Sequence, residues 1–275
     1  MQIDCNKTPN LYHIKGIICC KVDKQVIISQ NYLFLYQNLD EISVIMKKKL
    51  VTCDLNSCFF CKNCLPEWKG AIAANKKNFF VKKNEVIFKE GDRVEGIYFV
   101  ISGNVKVHKK WGKDKEIILR FASNGAIFGH RGLDSRIYPI SATALEDGIV
   151  CYFDLAFFEA SLKVNNEFTY KLMMFFVKDL QESETKMRNL AHMSVKGRVA
   201  QALIYLENQF GLKEDGFINI RLSRQDLASF IGTTYETVFR VITELLNENI
   251  VATNDKYLKI ADREKLTPLT TDEDI

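Results

Sequence analysis

The feature that most constrains this fold is a stretch without proline or glycine that runs from Asn165 to Ser194. Proline and glycine are the residues that most often interrupt helices, so the stretch predicts one long helix. A seam of residues at alternating spacings of three and four follows it, which is the repeat of a coiled coil. All but one of the seam residues are apolar: Met173, Phe176, Leu180, Ser183, Met187 and Leu190.

A second apolar stripe lies on a neighbouring face of this helix and comprises Phe168, Leu172 and Phe175. We expect the stripe to pack on the preceding domain, while the seam meets the same helix of a second copy. Charged residues at the other positions favour this homodimer. The alternative is a helix buried within a single core.

Before the helix, between Phe79 and Phe158, β-branched and aromatic runs alternate with turns such as Glu90-Gly91-Asp92 and Ser102-Gly103-Asn104. This pattern predicts short antiparallel strands rather than βαβ units, and therefore a β-roll or jelly roll. We assign residues 72–164 to this predicted sensor domain. With the helical segments on its C-terminal side, the predicted fold class is α+β.

Two short helices joined at Gly232 are predicted towards the C-terminus. Each is opened by a capping box, Ser223 with Asp226 and Thr233 with Glu236. The first helix begins at Arg224, and the second runs to about Glu248. Two capped helices with apolar inner faces and a glycine turn between them are typical of a helix-turn-helix.

Neighbouring elements extend this motif into a winged domain over residues 195–265. An amphipathic helix after Gly197 and a short strand over Phe217–Leu222 precede it. A predicted hairpin of Ile250–Ala252 and Tyr257–Ile260 follows as the wing. The remaining residues, 266–275, form a predicted acidic tail.

The second helix carries side chains suited to the major groove on its outer face. Arg240 can bond guanine, Glu236 can accept from cytosine, and an aromatic ring can contact a thymine methyl group. The alternative is that Glu236 and Arg240 form only a surface ion pair. We predict a set of DNA contacts that includes the helix starts, where backbone N–H groups hold phosphate: Ser223, Arg224, Thr234, Tyr235, Glu236, Phe239 and Arg240.

Bulk charge does not carry this prediction. The net charge is only +4, and residues 195–260 hold eight basic and eight acidic side chains. DNA binding is therefore inferred from the motif and not from a basic excess.

Cysteine usage points to a metal. Of eight cysteines, four crowd into a cysteine-rich segment over residues 46–71: Cys53, Cys58, Cys61 and Cys64. The sequence shows no convincing signal peptide and no apolar run long enough to span a bilayer, so we expect a cytoplasmic protein. In a reducing compartment, such a density of thiols favours metal ligation over disulfides.

Residues 1–45 differ from the rest because they show no sustained hydrophobic period. We expect either a poorly ordered extension or a start placed too early, since Met46 opens a basic run that leads into the cysteines. A structured extension is the alternative.

Several segments together resemble one known family. They are Phe88-Lys-Glu-Gly-Asp, Ile97-Tyr-Phe-Val-Ile-Ser-Gly-Asn-Val-Lys-Val, Gly125-Ala-Ile-Phe-Gly, Leu222-Ser-Arg-Gln-Asp-Leu-Ala and Gly232-Thr-Thr-Tyr-Glu-Thr-Val-Phe-Arg. Over residues 79–265 the chain is similar to the Crp/Fnr regulators of bacterial transcription. The resemblance implies a homodimer that binds double-stranded DNA and RNA polymerase, with promoter-reading roles for Glu236 and Arg240. Phe239 is larger than the residue often found there, which implies a different base sequence.

The resemblance does not favour cyclic AMP as effector. Cyclic-nucleotide members of the family carry Gly-Glu and then Arg-Ser or Arg-Thr, whereas this chain has Gly129-His130 and Tyr138-Pro139. Arg131 and Arg136 lie nearby and are expected to be solvated loop charges. We keep His130 and Arg131 as a weak candidate for an effector pocket, and expect each histidine to be a surface or satisfied residue.

Resemblance to the Fnr-like branch instead implies an oxygen-sensing [4Fe–4S] cluster. Cys58, Cys61 and Cys64 have the spacing of the first three ligands in bacterial ferredoxins. The fourth ligand is either Cys53 or Cys151, which falls at the position of the family's remote ligand. A zinc ion on four thiolates and free thiols remain alternatives.

Two rival functions use the same residues differently. A redox or metal-binding module acting through protein partners would account for the neutral C-terminal region. An enzyme is the third class, but the sequence contains no nucleophile–base arrangement, phosphate-binding glycine loop or catalytic metal motif. We therefore expect no enzymatic activity.

Overall fold

The computed structural model describes residues 11–14, 17–22, 25–28, 53–112 and 115–271. The chain divides into two compact units, residues 1–50 and 51–275. In the first, three strands pair antiparallel in the order β1-β2-β3: β1 Leu11–Ile14, β2 Ile17–Val22 and β3 Gln25–Ile28. The remaining residues among 1–45 lie outside the described residues, so their predicted poor order stays a prediction.

Most of the second unit up to residue 154 consists of short strands. Two helices precede them, α1 Phe59–Asn63 and α2 Lys69–Asn75. The strands are β4 Lys77–Val81, β5 Val86–Phe88, β6 Gly96–Ser102, β7 Val105–Trp111, β8 Lys115–Ala122, β9 Ile127–Phe128, β10 Ser141–Ala144 and β11 Gly148–Asp154. They form two antiparallel four-stranded sheets, ordered β5-β10-β7-β8 and β4-β11-β6-β9. The predicted antiparallel β-roll is confirmed.

The core of the roll forms because alternate strand residues point inward. Val105 and Val107 on β7, Val100 on β6 and Val150 on β11 share one buried cluster. The opposite face of the second sheet is also covered, since Phe99 and Phe153 pack against the helices described next.

Two consecutive helices follow the roll, α3 Leu155–Val164 and α4 Asn166–His192. The prediction of strand signals up to Phe158 is wrong at its end. The Asp154 carboxylate accepts a hydrogen bond from the backbone N–H of Phe157 at 2.9 Å and caps α3, so its aromatic residues belong to a helix. The long predicted helix is present as α4, within two residues of its expected ends.

The C-terminal domain contains the predicted helix pair. Its elements are α5 Val195–Phe210, α6 Arg224–Ile231, α7 Tyr235–Asn247, β12 Val251–Asn254, β13 Tyr257–Ile260 and α8 Arg263–Leu266. Gly232 ends α6 in the left-handed conformation, with φ of 77°. The paired strands β12 and β13 form the predicted wing.

Three local predictions in this domain are corrected. The helix expected after Gly197 begins earlier, because the Ser194 hydroxyl caps it. The expected strand over Phe217–Leu222 makes only one isolated bridge, although Ile218 is buried as in a strand. The second capping box at Thr233 is wrong: Thr234 is the cap, and it accepts from the backbone N–H of Thr237. In the part of the chain that the structure describes, no helix is long and apolar enough to cross a membrane.

Candidate functional site

Helix α7 has one buried and one exposed face. Val238, Val241, Ile242 and Leu245 are buried in the domain core, as expected from their spacing. The opposite face exposes a group of side chains that we call the reading face: Tyr235, Glu236, Phe239 and Arg240.

The side chains of the reading face are left free for an external partner. Within the described residues neither Glu236 nor Arg240 forms an ion pair, so the simple surface pair is not made. Hydrogen bonds from its own backbone N–H and from Thr234 lower the pKa of Glu236 and keep it ionised. The rings of Tyr235 and Phe239 stack with centroids 6.2 Å apart, and Phe239 is 55% exposed.

Two of the predicted DNA contacts have roles within the domain. The Ser223 hydroxyl caps α6 by accepting from the backbone N–H of Asp226 at 3.0 Å. Arg224 donates to the Thr253 hydroxyl of the wing at 3.2 Å, and burial lowers its pKa. Ser223 therefore fixes the start of α6, and Arg224 joins α6 to the wing.

A half-buried ion network joins the β-roll to the first helix of the motif. Lys106 on β7 contacts the carboxylate of Glu116 at 2.5 Å and that of Asp226, on α6, at 2.9 Å. His108 lies 3.0 Å from Glu116 and 2.9 Å from the Thr143 hydroxyl. Hydrogen bonding to His108, then to Lys106, lowers the pKa of Glu116 to about 2. The sequence pattern does not indicate this network, because Lys106 and Asp226 lie 120 residues apart in the chain.

The end of the long helix contacts the turn of the helix-turn-helix. A side chain added at Gly232 would collide with Leu190. The Lys186 ammonium lies 3.9 Å from the centre of the Phe230 ring on α6. Helix α4 and the helix-turn-helix are therefore in direct packing contact.

Much of the predicted dimer seam is exposed to solvent. Met173, Leu180 and Met187 are 52%, 60% and 67% exposed, and Phe176 is also exposed. Leu190 is half-buried and packs against Gly232. The second stripe packs as expected: Phe168 and Leu172 are buried, and Phe175 packs against the same cluster.

The five candidate metal ligands are all buried and free of disulfides. We call them the thiol cluster: Cys53, Cys58, Cys61, Cys64 and Cys151. Cys58, Cys61, Cys64 and the remote Cys151 share one hydrophobic cluster. The structure thus brings a cysteine of β11 together with those of the N-terminal segment.

The thiols differ in how readily they ionise. Cys58 accepts hydrogen bonds from the thiol and backbone N–H of Cys61, and these lower its pKa to about 7. The same interaction raises the pKa of Cys61. Burial raises the pKa of Cys151 to about 12, with smaller contributions from Cys58 and Cys53. Burial also raises the pKa of Cys64.

The thiol segment is held against the start of the long helix. Phe60 is fully buried, and its ring centre lies 4.6 Å from that of Phe168 on α4. The Leu65 N–H donates to the Asn165 side chain at the α3–α4 junction, and the Trp68 indole donates to Ser161, both at 2.9 Å. The thiols are therefore separated from α4 by a single layer of packed side chains.

The donor set fits a thiolate-bound group by its chemistry. Across the described ranges, no three His, Cys, Asp or Glu side chains converge as ligands of a single metal ion. Four thiolates can hold either one tetrahedral zinc ion or an iron–sulfur cluster. In a four-iron cluster each thiolate binds a different iron, so its ligands surround a larger body.

The candidate effector residues His130 and Arg131 occupy unlike environments. His130 is buried against the rings of Phe175 and Phe176, each with a centroid separation of 5.2 Å. Both of its ring nitrogens lack hydrogen-bond partners among the described residues, and burial lowers its pKa far below the usual value. The expectation of a surface or satisfied histidine is wrong here.

The loop arginines are not simply solvated. Arg131 pairs with Asp179 of α4 at 2.6 Å, and Arg136 pairs with Glu159 of α3 at 2.5 Å. The expectation of solvated loop charges is therefore corrected. Sequence separation concealed these pairs, because each joins the roll to a helix that lies far along the chain.

Two family models match the chain. Residues 79–165 match the cyclic nucleotide-binding domain, and residues 197–269 match the Crp-like helix-turn-helix domain. The two matches cover the roll and the winged domain, respectively.

Similar proteins differ in the signals their names record. The anaerobic regulatory protein of Bacillus subtilis is 30% identical over 195 residues, covering 70% of this chain and 81% of the relative. The cAMP-activated global transcriptional regulator CRP of Salmonella typhimurium is 28% identical over 177 residues, covering 62% and 83%. The structure of FixK2 from Bradyrhizobium japonicum matches with a TM-score of 0.65 and 25% identity, covering 71% of this chain and 98% of that one.

Proposed function

Because the chain belongs to the Crp/Fnr family of transcription regulators, we propose that it acts as a homodimer that reads a DNA sequence and responds to a redox signal through its thiol cluster. Its relatives include an anaerobic regulatory protein and a cAMP-activated global transcriptional regulator. By the same family resemblance, we expect RNA polymerase as a further partner.

The observation that carries the proposal is the free reading face. Glu236 and Arg240 are exposed on the first two turns of α7, whose other face is anchored in the domain core. An unpaired guanidinium can bond guanine O6 and N7 together, and a free carboxylate can accept from cytosine. The N-terminal amides beside Thr234 supply a phosphate site that fixes the helix in the groove.

The exposed seam of α4 supports a dimer. Met173, Leu180 and Met187 would be costly to leave in water along one helix face. Two copies joined along this seam would present two α7 helices, and such dimers bind half-sites about one DNA turn apart.

Within this function, the thiol cluster supports a [4Fe–4S] cluster as the sensor. Cys58, Cys61 and Cys64 would supply three ligands, and Cys151, which shares their buried cluster, would supply the fourth rather than Cys53. When bound, such a group supplies one-electron redox chemistry and sensitivity to oxygen. The chain's own part is to hold thiolates in an apolar site that abuts α4.

Packing inside the roll supports the expectation against cyclic AMP. Phe88 stacks on Tyr138 with centroids 3.9 Å apart, and Tyr98 and Phe128 stack beside them. Gly129 is pressed against these rings, so a larger residue would contact them. The aromatic rings occupy the interior in which a nucleotide would need polar partners.

Selection of bound duplexes from a random pool tests the DNA-reading function. We expect enrichment of an inverted repeat and a steep fall in affinity with salt. If no sequence is enriched and the weak binding does not change with salt, the DNA-reading function is contradicted. A module that acts through protein partners would then be favoured.

Anaerobic purification tests the cluster. We expect brown protein with iron and sulfide in equal amounts, and a visible absorbance that oxygen bleaches. Cys151→Ala should remove the colour, whereas Cys20→Ala, outside the thiol cluster, should retain it. Colourless protein with one zinc would overturn the iron–sulfur assignment, and loss of colour in Cys53→Ala with retention in Cys151→Ala would reassign the fourth ligand.

A further inference from the structure

A cleft of about 510 Å³ lies between the β-roll and the DNA-binding domain. Strand β8 forms one wall and α4 another, while α5 and α6 close the far side. Its size suits a small molecule. The cleft is separate from both the thiol cluster and the reading face, and it shares Ser183 and Leu190 with the predicted dimer seam.

Three cationic side chains line the cleft without a carboxylate partner: Arg120, Lys186 and Arg198. The Lys186 ammonium donates to the carbonyl oxygens of Ile118 and Leu119 at 2.8 and 3.3 Å. Arg198 donates to the carbonyl oxygen of Met193 at 2.8 Å. Over the described stretches of chain, none of the three cations forms an ion pair.

Buried donors in this cleft have no acceptor. The Nε atoms of Arg120 and Arg198 are both buried and lack a hydrogen-bond partner in the described structure. Leaving a buried donor unpaired costs about 1–3 kcal/mol, and more for a charged group. Burial lowers the pKa of Lys186 to about 7.

The balance of charge and apolar surface defines the ligand. Besides the three cations, Arg131 and Lys178 line the cleft, against the carboxylates of Asp179 and Glu182. Asp179 is already paired with Arg131. Apolar and aromatic surface completes the walls, including Phe230, Tyr205 and Leu119.

We propose that this cleft is an effector site for a small organic anion, with a carboxylate, sulfonate or phosphate group held by the unpaired cations and an apolar part against Phe230 and Tyr205. Nothing in this proposal depends on the metal at the thiols. A molecule bound there would contact strand β8 of the roll, the long helix α4, and helix α6, which is the first helix of the DNA-binding motif. Its binding would therefore bias their relative positions.

The test uses the intact protein and two fluorescent probes of nearly the same shape. One is 8-anilinonaphthalene-1-sulfonate, which is anionic, and the other is the neutral N-phenyl-1-naphthylamine. Lys186→Met removes the charge and retains the length of the side chain. Lys163→Met makes the same change on an exposed face of α3, outside the cleft.

We expect saturable binding of the sulfonate that is at least tenfold weaker in Lys186→Met and unchanged in Lys163→Met. The neutral probe should bind both variants alike. Arg120→Met serves as a second variant and should also weaken the sulfonate alone. Equal sulfonate affinity in wild type, Lys186→Met and Arg120→Met, or no saturable binding at all, would overturn the proposal.

Discussion

The reading face and the thiol cluster place their candidate functional side chains in opposite environments. Glu236 and Arg240 stand exposed and unpaired on a helix whose inner face fixes them. The cysteines are buried among aromatic rings, one layer from α4. The first arrangement can meet a partner from outside, and we propose that the second converts a chemical change into a change of packing.

The contrast teaches how signal and output are connected. Exposed groups can be changed with little effect on folding, whereas buried ones cannot. Between the two regions run α4, the contact of Leu190 with Gly232, and the ion network of Lys106 with Asp226. These contacts join the sensor to the first helix of the motif.

The largest effect should come from the buried side. Phe60→Ala removes a fully buried ring that contacts Phe99, Phe153 and Phe168. We expect a loss of about 3–5 kcal/mol in the free energy of unfolding, measured with denaturant. Phe80→Ala, at a site 54% exposed, is the control and should cost far less. If the two substitutions lowered the free energy of unfolding equally, the difference drawn between the buried and the exposed region would be wrong.

The seam of α4 gives the next largest effect. Leu180→Glu places a charge in the predicted dimer interface, where an unpaired charge costs several kcal/mol. We expect the dimer dissociation constant to rise about a hundredfold or more by sedimentation. Gln181→Glu adds the same charge beside the seam and should leave the dimer intact. If the wild-type protein were monomeric, the proposed dimer would be wrong.

On the exposed side, Arg240→Ala should lower affinity for the selected duplex by about 1–3 kcal/mol per half-site contact. The free energy of unfolding should stay the same, because the side chain has no partner in the described residues. Lys163→Ala removes a positive charge far from the DNA and controls for bulk electrostatics. If the affinity fell equally for every duplex, Arg240 would contact phosphate and would not read a base.

The smallest effect sharpens the link between the regions. Hydrogen bonds from His108 and Lys106 lower the folded-state pKa of Glu116 to about 2, below its usual value near 4.5. Its stabilising contribution is therefore complete above about pH 4.5 and is lost as pH falls towards 2. Glu116→Gln should flatten the acid side of the stability curve, whereas Glu67→Gln, at an exposed site, should not. Identical curves for wild type and Glu116→Gln would show that the network does not stabilise the fold.

Local sequence signals predicted the parts of the structure that depend on neighbouring residues. The helix 166–192, the cap at Ser223 and the buried face of α7 follow from spacing and capping alone. The pattern failed at one local signal and at one long-range contact. Phe157 and Phe158 read as strand but follow a capping aspartate, and Lys106 finds a partner 120 residues away.

The candidate sites divide along the same line. Exposure of Glu236 and Arg240 follows from helix periodicity, so the sequence predicted it. The pairing of Arg131 with Asp179 and the unpaired cations of the cleft arise only when the roll, α4 and α5 meet. No motif records them, because their charges look like ordinary surface residues until the chain is folded.

The central claim is that the buried thiols control the exposed reading face. Its most direct test is the affinity of anaerobically prepared protein for its selected duplex, measured before and after air exposure in the same sample. We predict a change of tenfold or more that Cys151→Ala abolishes and Cys20→Ala retains. Brown protein that loses its colour in air while its affinity for DNA stays constant would contradict the claim.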